Sequence, residues 1–245
     1  MKRNTITFEN GNRAIVVTAP RDASAQAILD ALQIASPRAV ILIFGGTVGI
    51  DDSRKAHLKT LFCDGIIPVA VELGAVIMDR GIESGLIAMI GEAAARFLGP
   101  CQLLGIAPAD KVSYPGQSKA DYSEGALLEC NHSYFVLVEG YEWGGETTKM
   151  LELACAFDAP MVAILINGGA IASHAVLQSV RKGSQLLVVE GTGRFADELS
   201  AATRDRPFAK SATVSEIVGS ACAVLFRVDG PAEKLRSELQ RMLCD

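Results

Sequence analysis

One pattern constrains this chain more than any other: a short apolar run, then glycines, then a helix-forming stretch, five times over. Residues 40–44 end in Gly45-Gly46-Thr47 and lead to a helix at about 53–63. Residues 75–78 open into Asp79-Arg80-Gly81-Ile82-Glu83-Ser84-Gly85, followed by an Ala-rich helix to about 98. Residues 134–138 pass through Gly144-Gly145-Glu146-Thr147 into a helix with Met150, Leu151, Ala154 and Phe157 inward. Residues 161–166 reach Gly168-Gly169 and a helix at 171–180, and 186–189 reach Gly191-Thr192-Gly193-Arg194 and a helix from Phe195. A further strand is expected at 103–106. Continuous apolar runs of this length suit strands buried on both faces, and parallel strands can be joined only by long crossovers. The expectation is an α/β fold with a doubly wound, mostly parallel sheet.

The ends add to this plan. Residues 5–8 and 14–18 alternate around the turn Glu9-Asn10-Gly11-Asn12, which predicts an N-terminal β-hairpin. A helix at 23–34 stops before Pro37. Residues 107–131 are polar and irregular, long for a structureless connection, and such loops are usually functional or mobile. Residues 214–226 read as helix passing into strand, and Gly230-Pro231 starts a C-terminal helix with Leu235, Leu239, Met242 and Leu243 in one apolar stripe. No linker composition divides the chain. It reads as a single domain over 1–245, with the hairpin in 1–20, the core in 38–203 and a C-terminal extension in 204–245.

Composition then limits function. The 245 residues are 49% apolar and 21% charged, with a formal net charge of -5, which is a folding composition. No Lys/Arg stripe is present to neutralise phosphates, so no nucleic-acid partner is expected. No early apolar segment resembles a signal, and no run approaches the ~18 apolar residues of a membrane span. A cytoplasmic location, with no membrane partner, is the default. The six cysteines (Cys63, Cys101, Cys130, Cys155, Cys222 and Cys244) lack C-x-x-C spacing and read as reduced core residues. His57, His132 and His174 lack ligand spacing. Asn131-His132 reads as a hydrogen-bonded turn at a strand entrance, and Asp51-Asp52 and Glu83 read as helix-start acids rather than a metal site.

Glycines at the carboxyl ends of parallel strands let backbone approach a phosphate, and the helix that follows offers free N–H groups and a positive dipole end. The expected ligand edge therefore holds Gly45, Gly46 and Thr47; Arg80, Gly81, Ser84 and Gly85; Gly144, Gly145, Glu146 and Thr147; Gly168 and Gly169; and Gly191, Thr192, Gly193 and Arg194. Arg80 and Arg194 offer forked donors beside these turns. Trp143, the single tryptophan, stands in a turn where an adenine or nicotinamide ring could stack.

Six short blocks, in order, carry a resemblance: Phe44-Gly45-Gly46-Thr47, Gly74-Ala75-Val76-Ile77, Gly105-Ile106-Ala107-Pro108, Asn131 to Val138, Asn167-Gly168-Gly169, and Glu190-Gly191-Thr192-Gly193-Arg194. Over about residues 38–203 the chain resembles the SLOG (LSDAT) domain, the Rossmann-like domain found at the amino terminus of TRPM-type cation channels and in bacterial proteins. The resemblance implies binding of a nucleotide-derived ligand such as ADP-ribose or a cyclic relative. Trp143 falls at an aromatic contact position of the ADP-ribose-binding domains and Arg194 at their glycine-turn arginine. Met150, beside Lys149, stands where those domains carry a second arginine, and Asp79-Arg80-Gly81 replaces their usual Thr-Gly-Gly. The related LOG-type phosphoribohydrolases carry Pro-Gly-Gly-x-Gly-Thr-x-x-Glu. Here no proline precedes Gly144-Gly145, and the acid's place falls at Met150, which leaves Glu146 and Glu152 as catalytic candidates.

The leading expectation is a sensor of a nucleotide derivative of the ADP-ribose, NAD or AMP type, working without a firm cofactor. Homo-oligomers through apolar helices such as 87–98, or a downstream effector protein, are compatible partners. The alternatives are a nucleotide N-glycoside hydrolase and an interaction module whose glycine edge is vestigial.

Overall fold

The computed structural model describes residues 1–117, 125–205, 211–220 and 223–244. The chain begins with β1 (Lys2–Thr7), β2 (Arg13–Ala19), α1 (Ala25–Leu32), β3 (Ala39–Gly45) and α2 (Asp52–Thr60). A π-helical turn (Leu61–Ile66) joins α2 to α3 (Ile67–Leu73). Then come β4 (Ala75–Asp79), α4 (Gly85–Arg96), β5 (Gln102–Pro108), the short β6 (Val112–Ser113) and β7 (Ala126–Leu127), and β8 (Tyr134–Val138). The second half holds α5 (Glu146–Ala156), β9 (Met161–Ile166), α6 (Ala170–Arg181), β10 (Gln185–Glu190), α7 (Arg194–Arg204), α8 (Ala212–Gly219), β11 (Ala223–Arg227) and α9 (Ala232–Cys244).

Nine strands form one sheet in the order β1-β2-β8-β5-β4-β3-β9-β10-β11. Only the β1–β2 pair is antiparallel, and the rest are parallel, as the long crossovers require. The α/β, doubly wound expectation holds. The hairpin does not stand apart, since β2 joins β8 in parallel register, with Ile15 opposite Tyr134 and Ala19 opposite Val138.

Alternation along β3 divides the core. Val40, Leu42 and Phe44 face one apolar layer with α1, α5, α6, α7 and α8, while Ala39, Ile41 and Ile43 face the other with α2, α3, α4 and α9. A third cluster, built on Phe8, Val16, Phe135 and Leu137, lies beneath Val112 and Leu128 of the long connection. The described part of that connection, though it holds only short regular pieces, covers the apolar hairpin side of the sheet. Residues 118–124 of the loop lie outside the described residues.

Two local departures from expectation have physical causes. The helix expected at 53–63 continues to Leu73, because a π turn just before Pro68 relieves the clash a proline ring makes with the preceding turn. Ile67 N–H there donates to Phe62 O, five residues back. The cysteines are less central than expected: Cys63, Cys101 and Cys130 are half-buried, Cys155 and Cys244 are exposed, and Cys222 lies outside the described residues. Burial pushes the Cys101 thiol up to about 12, so it stays protonated and unreactive at neutral pH.

Strand order reverses at β3. The chain runs outward through β4, β5 and β8, then returns to lay β9 against the other side of β3. Such a switch point opens a crevice at the carboxyl ends of the strands. Gly45 ends β3 at that point with φ 137° and lies so close to β9 that a Cβ would sit 1.8 Å from Ile166 O. Gly45→Ala is thus expected to destabilise the protein by on the order of 3 kcal/mol or more, because backbone rather than a flexible side chain must yield. Chemical denaturation followed by circular dichroism measures it, and an unchanged midpoint would show that the two strand ends are not packed this closely.

Candidate functional site

At the switch point lies a cavity of about 300 Å³ whose walls come from six segments. Ile43, Phe44 and Gly45 supply the end of β3, Arg80 the loop after β4, and Ile87 the facing side of α4. Thr147 and Met150 come from α5, residues 169–172 and Ala175 from the start of α6, and Arg194 from the start of α7. The walls are mostly apolar, with two guanidinium groups among them. A few fixed polar groups in an apolar recess is the usual make-up of a small-molecule site.

Arg194 is placed by backbone constraint. Asn167, at the end of β9, takes a left-handed φ of 59° that asparagine tolerates better than other side chains. Its N–H donates to Thr192 Oγ1 at 2.8 Å, and its Nδ2 donates to Thr192 O at 2.6 Å and to Val48 O at 3.2 Å. Its carbonyl accepts from Ala196 N at 2.8 Å inside α7. One side chain thereby ties together the loops after β3, β9 and β10. Arg194 itself has φ 53°, which costs a non-glycine residue ~1–2 kcal/mol, and its guanidinium is turned back over Gly169. A Cβ at Gly169 would lie 2.7 Å from Arg194 Nη2. Arg194 makes no ion pair among the described residues.

Arg80 is placed by side chains and turn geometry. Asp79 Oδ1 accepts from Gly81 N at 2.7 Å, closing a turn around Arg80, and Gly81 O accepts from Glu129 N at 2.9 Å. The Arg80 guanidinium lies 4.7 Å from the centroid of the Trp143 ring, and its Nε is 3.1 Å from Oε1 of the fully buried Glu146. The other Glu146 oxygen accepts from Gly144 N at 2.6 Å.

Behind this turn lies a group of charges that the sequence does not announce. His132 is completely buried, with Nε2 3.0 Å from Asp79 Oδ1 and Nδ1 2.7 Å from Glu129 Oε2. Glu129 also accepts from both nitrogens of Asn131, at 2.9 and 2.7 Å. Burial alone lowers the His132 pKa, but the Asp79 charge and the bonds to Asp79 and Glu129 outweigh it and raise it to about 9. The imidazole is thus a cation that joins the end of β4 to the long loop. The turn at a strand entrance is real, and its histidine reaches across 53 positions to Asp79.

The remaining candidates divide. Gly45, Arg80, Thr147, Gly169 and Arg194 line the cavity together, and Trp143, Gly144 and Glu146 back onto Arg80. The N–H groups of Gly191 and Gly193 already donate to Asp197, at 2.6 and 3.1 Å, and Thr192 Oγ1 serves Asn167 and Val189 O. That last glycine turn leads into Arg194 and offers its own amides to a carboxylate of the same chain. Gly46 N donates to Ile166 O at 3.2 Å, and Thr47 packs on Gly85 at the start of α4, where Ser84 begins the helix. Gly81 packs against Phe135, and Gly168 against Ala172. Glu152 is 45% exposed and bound by Lys149 on the outer side of α5. The apolar wall residues Ile87, Ile171 and Ala175 escape sequence reasoning because they look like ordinary helix positions.

A wider depression of about 560 Å³ lies beyond Gly191, with Arg54, Arg204 and Arg227 on its walls. Each of these arginines is paired with an acid of the same depression: Asp51, Glu190 and Asp229 respectively. Its charges are satisfied internally, whereas Arg194 in the smaller cavity has no counter-ion among the described residues.

This geometry sits on a chain whose residues 38–236 match the family described as SLOG in TRPM, prokaryote. The chain belongs to that SLOG family. Similar proteins include mouse transient receptor potential cation channel subfamily M member 2, 25% identical over 200 residues, covering 67% of this chain and 13% of the channel. Human subfamily M member 7 is 28% identical over 234 residues, 80% of this chain and 12% of the channel. A transient receptor potential channel of Caenorhabditis elegans is 30% identical over 204 residues, 69% of this chain and 10% of the channel. The SLOG chain thus spans only about an eighth of the channels it matches. Among its described residues no helix is long and apolar enough to cross a membrane.

The buried His132 cation makes a pH prediction. Its pKa is raised on folding from about 6.5, so its stabilisation is fully present below pH 6.5 and is lost as pH rises through about 9. The expected loss is on the order of 3 kcal/mol across that window. Denaturation midpoints of wild type and His132→Gln at pH 6, 7.5 and 9 measure it. The variant should be less stable at pH 6 and flatter with pH, and parallel curves would disprove an imidazolium at this position.

Proposed function

We propose that the cavity between β3 and β9 binds a nucleotide-derived small molecule of the ADP-ribose, NAD or AMP type, and that the protein works as a ligand sensor. The observation that carries this reading is the Arg194 guanidinium, without an ion pair among the described residues, held over Gly169 by a strained backbone and facing an apolar recess at the sheet's switch point. A cation without a counter-ion in a partly dry recess attracts an anionic group and binds it through forked, charge-assisted bonds. The Ile43, Phe44, Ile87 and Ile171 walls suit the apolar faces of a base or ribose. The volume is at the small end for ligand sites, which favours burying one nucleotide half with the rest reaching out along the rim.

Binding is favoured over N-glycoside hydrolysis by how the two candidate acids are occupied. Glu146 has one oxygen on Gly144 N and the other against Arg80, and Glu152 is bound to Lys149 away from the cavity. Neither is free to sit beside a developing positive charge at an anomeric carbon.

Titration with ADP-ribose, NAD, AMP and cyclic variants, followed by Trp143 fluorescence and calorimetry, tests the proposal. At least one should saturate, and Arg194→Ala should weaken it by ~1.5–3 kcal/mol without lowering the melting temperature, because the guanidinium makes no ion pair among the described residues. No saturable response to any of them would refute nucleotide binding. Free base accumulating over hours, and abolished by Glu146→Gln, would instead mark an enzyme.

A further inference from the structure

We propose that Trp143 and Glu146 are positioning residues for Arg80, and that Arg80 and Arg194 together receive the anionic group of the ligand. This rests on the nucleotide-site reading above and adds what fixes the ligand's direction in that site.

Arg80 is held on every side but one. Its neighbours in the chain are locked by the Asp79–Gly81 turn and by the Glu129–Gly81 bond. One face of its guanidinium is covered by the Trp143 ring at 4.7 Å. Its Nε edge is turned to Glu146, at 3.1 Å but without hydrogen-bond alignment, so Arg80 Nε and Glu146 Oε1 are both left without a directed partner. Glu146 cannot swing away, because it is fully buried and its second oxygen holds Gly144 N. What remains is the Nη end, on a side chain 30% exposed that lines the cavity.

The two arginines therefore have different parts. Glu146 balances the charge of Arg80, so Arg194 supplies the net attraction and Arg80 supplies two preset donors. Preset donors cost little ordering on binding, and a planar fork discriminates a tetrahedral oxyanion by geometry. The Trp143 ring is then engaged by a protein cation, and a ligand base stacking on that face would first have to displace it.

A double-mutant cycle separates the two roles for Trp143. Calorimetry on the full chain with whichever of ADP-ribose, NAD or AMP binds wild type most tightly compares Arg80→Ala, Trp143→Leu and the double variant. Arg80→Ala should weaken binding about ten- to hundredfold. Trp143→Leu should weaken it by a smaller factor, Trp143→Phe should keep most of the affinity, and the double variant should be no weaker than Arg80→Ala alone. Losses that multiply, or no loss in Trp143→Leu, would overturn the positioning role while leaving the nucleotide site standing. Failure of wild type to bind all three overturns both. Trp143 packs against the third apolar cluster, so each variant is checked by thermal melting. If Trp143→Leu does not fold, Glu146→Gln runs the same cycle, since glutamine keeps the bond from Gly144 N and removes the charge facing Arg80. Its effect should vanish in the Arg80→Ala background, and a persistent effect would overturn the proposal.

Discussion

The pairing of β3 with β9 is the constraint from which the functional rim follows. The two strands lie in parallel register from Val40–Met161 to Gly45–Ile166, and the crossovers on either side of that pair lead in opposite directions across the sheet. Helices that diverge from one point cannot cover it, so a recess remains where the strands end. The close approach of Gly45 to Ile166 sets how tightly the floor of that recess is built. Arginine side chains from the two sides, one after β4 and one after β10, line the same recess.

Polar groups at this rim are divided between ordering loops and facing the cavity. Asn167 and Thr192 bind three loops into one body, and Asp197 occupies the amides of the Gly191-Thr192-Gly193 turn. The buried His132 cation, between Asp79 and Glu129, fastens the long loop to the end of β4. A buried charge without partners would cost several kcal/mol, and a buried cation between two carboxylates with further donors is tolerable. Among the described residues Arg194 is left without an ion pair at the cavity, while Arg80 lies between the Trp143 ring and Glu146. The segment that matches the SLOG family, residues 38–236, includes the whole of this rim.

Much of the fold was legible because its signal is local. Runs such as Val40 to Phe44 can be satisfied only between two apolar layers, and each is followed by glycine where the chain must turn sharply into a helix. The terminal helix followed equally from the Leu235, Leu239, Met242 and Leu243 stripe, and all four side chains are buried. The long loop was the harder case. Its polar composition hid that Val112 and Leu128 close an apolar surface on Phe135 and Leu137, because two or three anchors in 25 residues leave no periodicity to read.

The sequence by itself determined the alternation of strand and helix, the edge at which the glycine turns gather, and Arg80 and Arg194 as the cations beside those turns. Only the tertiary structure decided what each group does there. It assigned the Gly191 and Gly193 amides to Asp197, set the Trp143 ring against Arg80, and joined His132 to an aspartate 53 positions away. The physical reason is range. Periodicity and turn chemistry act between residues a few positions apart, whereas hydrogen bonds and ion pairs form between whatever groups folding brings within about 3 Å, and linear order does not encode those distances.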